Sequence, residues 1–155
     1  MVEVKSSYEV ERGKPLPTYL HSRCQTNINL QLELHYGSIY DILPEIDIKI
    51  DDWKVTPDIG IYPLQKVDFH HDILFMTTPP ICAIEILTYP QTLSQLLQKS
   101  EHYFLKGTKS YWLVIPEFEN IYVYEQPFNY TIFRKTEILK DNNLNIELDL
   151  SKIFK

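Results

Sequence analysis

The sequence predicts an α/β fold in which a mixed sheet is flanked by helices, and three runs of residues predict it. Ile81-Cys82-Ala83-Ile84-Glu85-Ile86-Leu87 is almost continuously apolar, as a strand covered on both faces must be. Thr92 to Lys106 places Leu93, Leu96, Leu97, Ser100, Tyr103 and Phe104 on one helical face, and Gly107 is placed to stop it. Tyr111-Trp112-Leu113-Val114-Ile115 is a second run of buried type. A strand, a helix of about four turns and another apolar strand, in that order, form a right-handed crossover between parallel strands.

The other elements follow along the chain. Residues 1–19 read as an irregular arm, because Lys14-Pro15-Leu16-Pro17 would break a helix. Residues 20–36 carry two patterns. Ile28, Leu30, Leu32, Leu34 and Tyr36 alternate with polar residues and favour a strand over 28–36, whereas Leu20, Cys24, Ile28 and Leu32 fit a helical stripe. Ile46, Ile48 and Ile50 alternate with Glu45, Asp47 and Lys49; Asp51-Asp52 then turns the chain and Trp53–Tyr62 resumes it, a hairpin. Residues 63–80, closing on Thr-Thr-Pro-Pro, are an excursion between strands. Residues 121–124 and 130–133 form a late hairpin, and 146–150 a short last strand.

Composition narrows the class. A chain of 155 residues with 44% hydrophobic side chains can close one core, so a single domain over 1–155 is expected. Its 4 Gly and 10 Pro are dispersed, which leaves no flexible linker and no repeat. No apolar run approaches the roughly 18 residues of a membrane span, nor does the start resemble a signal peptide, so a cytoplasmic location is expected. Cys24 and Cys82 lack any metal-ligand spacing and read as core residues. A net charge of −6 argues against sequence-blind wrapping of DNA, where Lys and Arg supply the affinity. It remains compatible with a carboxylate cluster that a bound cation offsets.

Glu85 stands out, because an isolated carboxylate inside so apolar a strand costs several kcal/mol, on the order of a lost ion pair, unless it is protonated, paired or bound to metal. Reaching solvent at the strand end, near Thr88-Tyr89-Pro90, is the alternative. Asp58 follows Pro57, which lacks the ladder donor and so marks an edge or a bulge; bulges often re-aim side chains beside active sites, though a turn aspartate is the plainer reading. Lys99 flanks the apolar stripe of its helix, where a lysine ordinarily snorkels. His70, His71 and Asp72 point alternately along an extended chain and are poor joint ligands. Lys106, Lys109, Arg134 and Lys135 are scattered. No GxSxG, HExxH, P-loop or dinucleotide fingerprint occurs.

Pro57-Asp58, then Glu85-Ile86-Leu87, then Lys99 resemble the PD-(D/E)XK nucleases and, more narrowly, the family called Uma-two, abundant in cyanobacteria. Further residues carry the likeness: Gly13-Lys14-Pro15-Leu16-Pro17 with His21, Pro44-Glu45, Thr56 to Tyr62, Thr88, Gln91-Thr92-Leu93, Tyr103-Phe104, and Ser110 to Val114 with Pro116. The usual lysine two residues after the glutamate is Leu87 here, and the family carries its lysine on the following helix, at Lys99. Gln95 stands where many relatives have an acidic residue, but Thr92-Leu93-Ser94-Gln95 also has the form of a capping box.

The resemblance implies a restriction-endonuclease-like core, with a helix over roughly 18–36. It implies a site in which Asp58, Glu85 and the Ile86 backbone carbonyl hold Mg²⁺ or Mn²⁺, while Lys99 orients water or stabilises charge. Superfamily members often add a glutamate, for which Glu33 and Glu45 compete. The function implied is metal-dependent hydrolysis of DNA phosphodiesters, with DNA as partner and a homodimer where both strands are cut. An inactive nuclease-fold domain that binds nucleic acid or protein is the alternative.

Overall fold

The computed structural model describes residues 4–155. Its centre is a six-stranded sheet in the order β1-β4-β5-β6-β7-β8, where β1 is Tyr40–Pro44, β4 Ile59–Pro63, β5 Cys82–Ile86, β6 Ser110–Ile115, β7 Asn120–Gln126 and β8 Asn129–Arg134. Only β5 and β6 run parallel; every other pairing in this sheet is antiparallel, so the sheet is mixed as expected. Two small hairpins accompany it: β2 (Ile48–Ile50) with β3 (Trp53–Val55), and β9 (Ile138–Asp141) with β10 (Ile146–Asp149).

The parallel pair is joined by α3 (Leu93–Leu105), which is the predicted strand–helix–strand unit. All five residues of β5 and all six of β6 are buried. Along β5 the side chains alternate between two cores. Cys82, Ile84 and Ile86 join Trp112, Val114, Ile28 and Leu32 on the side of α2 (Tyr19–Tyr36), while Ala83 joins Leu113, Tyr111, Tyr103 and Leu96 on the α3 side. The α3 start is the expected capping box: the Gln95 amide N–H donates to Thr92 Oγ1 (3.2 Å), and the Thr92 N–H donates to Gln95 Oε1 (2.9 Å). At its C-terminal end Gly107 takes φ +109, a conformation that suits a residue without Cβ. Tyr111 donates its hydroxyl to the Leu96 carbonyl (2.9 Å) and locks the helix onto the sheet.

Three expectations are corrected. The arm is not wholly irregular, since α1 (Ser7–Arg12) forms between an N-cap at Ser6 and Gly13 at φ +64; residues 1–3 of that expectation lie outside the described residues. Residues 28–36 are helical, as the resemblance implies and against the strand their alternation favours, because Cys24, Ile28 and Leu32 find the core while Leu30 and Leu34 remain 48% and 66% exposed. The extended run Trp53–Tyr62 splits at Thr56-Pro57-Asp58: its first part pairs with β2 and its second enters the main sheet. Strands β1 and β9 were not expected at all. Among the described residues, no helix is long and apolar enough to cross a membrane. Cys24 and Cys82 are free and buried, as core residues should be.

Candidate active site

The break at Pro57 places Asp58 immediately before β4, and the antiparallel register Ile59↔Ile84 puts the next pair, Asp58 and Glu85, opposite each other. The contact is completed from the backbone of β5: the Ile86 N–H donates to Asp58 Oδ2 at 2.7 Å. The other oxygen, Oδ1, receives the Lys14 ammonium at 2.5 Å and lies 3.0 Å from His21 Nε2. Asp58 is 1% exposed and Lys14 8%, so this is a buried ion pair. Burial alone would push the Asp58 carboxyl up; the His21 hydrogen bond and the Lys14 charge outweigh it and hold the group well below the usual carboxylate range. Burial likewise works against the Lys14 charge, yet the carboxylates of Glu85, Asp58 and Glu45 hold the ammonium well above the ordinary lysine value.

Glu45 closes the cluster from the turn after β1, where its backbone has φ +57. Its Oε2 accepts from Arg12 (2.7 Å) and Lys14 (3.4 Å), and its Oε1 from Gln25 (3.2 Å). Gln25 also donates to the Asp58 carbonyl (2.8 Å), so one α2 side chain braces both acidic residues. Ligand atoms of His21, Glu45 and Asp58 lie within 4.8 Å of one another. The Lys14 ammonium already sits between the two carboxylates of that trio, bonded to each.

Glu85 is the least satisfied of the acidic groups. It is 0% exposed, its Oε1 accepts one long bond from the Tyr103 hydroxyl (3.4 Å) and faces Lys99 Nζ at 3.9 Å, and its Oε2 has no partner. Burial pushes its pKa from 4.5 up to about 7; Lys99 pulls it down and Asp58 adds to the rise. Burial keeps the Tyr103 phenol well above its ordinary value, so it remains a donor. Lys99 is half-buried and opens outward onto a cleft of about 460 Å³.

The predicted site residues therefore divide. Asp58, Glu85 and Lys99 converge, and Glu45 joins them through Lys14. Glu33 does not: it is exposed, its carboxylate lies against Gly37, and it stands twelve residues past His21 on α2, about 18 Å along the axis. The Ile86 carbonyl accepts from Thr88 Oγ1 (3.1 Å) and keeps a second lone pair. His70 and His71 are 93% and 84% exposed around Asp68 and face solvent, with no inward site. Lys14, His21 and Gln25 were missed as site residues. The only sequence signal for them was the Gly13-Lys14-Pro15 motif with His21, and nothing local shows a lysine reaching an aspartate more than forty residues away.

The donor set can be tested against a divalent cation. Mg²⁺ and Mn²⁺ favour oxygen ligands. Asp58 has one lone pair free beyond its three bonds, Glu85 Oε2 is buried and unpartnered, and the Ile86 carbonyl has capacity left. These oxygens fit a hard cation.

A family model described as "Uma2: Putative restriction endonuclease" matches residues 6–153. No curated protein matches the chain. Among solved structures, a chain from Anabaena variabilis described as "a putative nuclease belonging to DUF820" is 21% identical with a TM-score of 0.74, over 90% of this chain and 83% of that one. At that identity the likeness establishes the fold.

Proposed function

Because the chain belongs to the Uma2 family, whose match spans nearly its whole length, we propose that it is a metal-dependent nuclease that hydrolyses DNA phosphodiesters at the Asp58–Glu85–Lys99 site. The observation that carries this is Glu85 Oε2, a fully buried carboxylate oxygen without a partner, beside a lysine that opens onto a cleft. A carboxylate kept in that state at a structural position would cost stability for no return, whereas one awaiting a cation explains the arrangement.

Asp58, Glu85 and the Ile86 carbonyl would hold Mg²⁺ or Mn²⁺. Such an ion polarises a phosphoryl oxygen and makes water a better nucleophile near neutral pH. The chain's own groups supply the rest. Lys99, held 3.9 Å from Glu85, places a positive charge where the phosphoryl oxygens gain negative charge as a water oxygen bonds to phosphorus and the phosphorus–sugar oxygen bond breaks. Lys14 and His21 fix Asp58 ionised and in one orientation, and Gln25 fixes its backbone. The two cores packed on either side of one sheet also support a single domain.

The test is cleavage of plasmid, linear and single-stranded DNA with Mg²⁺ or Mn²⁺, with Glu85→Ala and Lys99→Ala beside the wild type. Cleavage that needs the ion and is lost in both variants is expected; cleavage equal in all three proteins would refute the site.

A further inference from the structure

Two clefts, of about 460 and 680 Å³, meet on one ridge of α3, because both are lined by Gln95 and Lys99. These residues are four apart and so share a helix face, and Lys99 is the one that reaches Glu85. A backbone lying over the ridge therefore passes the carboxylates with room on each side for one drug-sized group, the size of a nucleotide. Each cleft offers one large aromatic ring, and the second also holds the His102 imidazole. Tyr89 is 76% exposed in the first; Trp53 lines the second, half-buried and edge-on to Tyr103 at 5.2 Å between ring centroids.

The charges at the groove are mixed. Lys5, Lys54 and Lys99 are opposed by Glu9, Asp52 and Glu101. Such a lining suits a strand gripped by stacked bases and two or three phosphates better than a duplex, whose binding rests on many Lys and Arg contacts.

We propose that the substrate is single-stranded DNA drawn across the Gln95–Lys99 ridge, with one base stacked on Tyr89 and a base on the other side of the scissile phosphate against Trp53. This rests on the nuclease reading of the same site. It also lets one subunit suffice, whereas cutting both strands of a duplex calls for two.

The test is binding of a fluorescein-labelled 12-nucleotide strand, and of its duplex, in Ca²⁺, read by anisotropy and by tryptophan emission. Trp112 is fully buried, so Trp53 is the reporter. The strand is expected to bind at least tenfold tighter than the duplex and to quench emission. Trp53→Phe should abolish the quenching, and Tyr89→Ala should weaken binding about tenfold or more while the melting temperature stays unchanged. The logarithm of affinity should fall against log salt with a slope of roughly −2, the value for about three phosphate contacts on a single strand. Equal binding of duplex and strand, or unchanged binding by Tyr89→Ala, would overturn the single-strand assignment; ion-dependent duplex cleavage lost in Glu85→Ala would then leave the nuclease reading standing. Neither binding nor cleavage of either DNA would overturn both.

Discussion

Glu85→Gln should stabilise the ion-free protein at neutral pH, although Glu85 lies at the centre of its sheet. The folded protein raises the Glu85 pKa from 4.5 to about 7. A carboxyl raised on folding binds its proton more tightly in the native state, so its contribution is fully present below the unfolded value and is lost as pH rises through the folded one. At about 1.36 kcal/mol per unit, ionisation therefore costs the wild type about 3 kcal/mol by pH 8. Glutamine keeps the shape and cannot ionise. The two proteins should differ by a constant offset below pH 4.5, the variant should gain steadily between pH 4.5 and 7, and the gap should then level off. For a chain of this size that gap is roughly 6–12 °C in melting temperature. The assay is thermal unfolding from pH 4 to 8.5 in chelator, repeated with Mn²⁺. Ion at a thousandfold excess over Kd should reverse the order, because it adds about 4.1 kcal/mol to the stability of whichever protein binds it, and the variant has lost a ligand. A gap that does not change with pH would refute the buried, unsatisfied state of Glu85, and equal Mn²⁺ stabilisation of both proteins would refute its role as a ligand.

Four further outcomes are expected. Lys14→Met should destabilise the fold by about 3–5 kcal/mol at neutral pH, because it strands the Asp58 charge in the interior, and chemical denaturation measures this. Asp58, whose pKa folding depresses, contributes stability that is present above its unfolded value of 3.8 and is lost as the pH falls below it, so Asp58→Asn should flatten the acid limb of the stability curve. Lys99→Ala should leave the melting temperature within a few degrees, since the side chain is half-buried and weakly paired, yet lower single-turnover cleavage roughly 100- to 1000-fold. Asp141→Ala should cost about 3 kcal/mol or more without altering ion binding, because the buried Asp141 carboxylate accepts from Ser110 (3.0 Å), Trp112 (2.8 Å) and the Asn143 amide (3.0 Å), far along the chain from the site.

Where the sequence was legible, the signal was local. The α3 capping box depends on residues three apart, and the six apolar residues around Glu85 announce a strand covered on both faces without help from elsewhere. Glu85 is conspicuous because one charge interrupts that run. The 28–36 window misled because Leu30 and Leu34 imitate a period-two pattern, and only the docking of Cys24, Ile28 and Leu32 onto the sheet shows that they face solvent. Trp53–Tyr62 looked continuous because Pro57 was read as an edge position or a bulge within one strand, when it separates two sheets.

Local pattern was enough for the β5–α3–β6 unit and most other elements, and the motif set, whose family the match over residues 6–153 shows, pointed to Asp58, Glu85 and Lys99. How those residues are held depends on the closed fold. It brought Lys14 and His21 onto Asp58, Gln25 and Arg12 onto Glu45, removed Glu33 to the far end of α2, and left Glu85 Oε2 alone. Secondary structure follows from neighbours three or four residues apart, whereas a buried charge answers to whichever partners chain closure brings within a few ångströms, and those come from distant segments that no local pattern identifies.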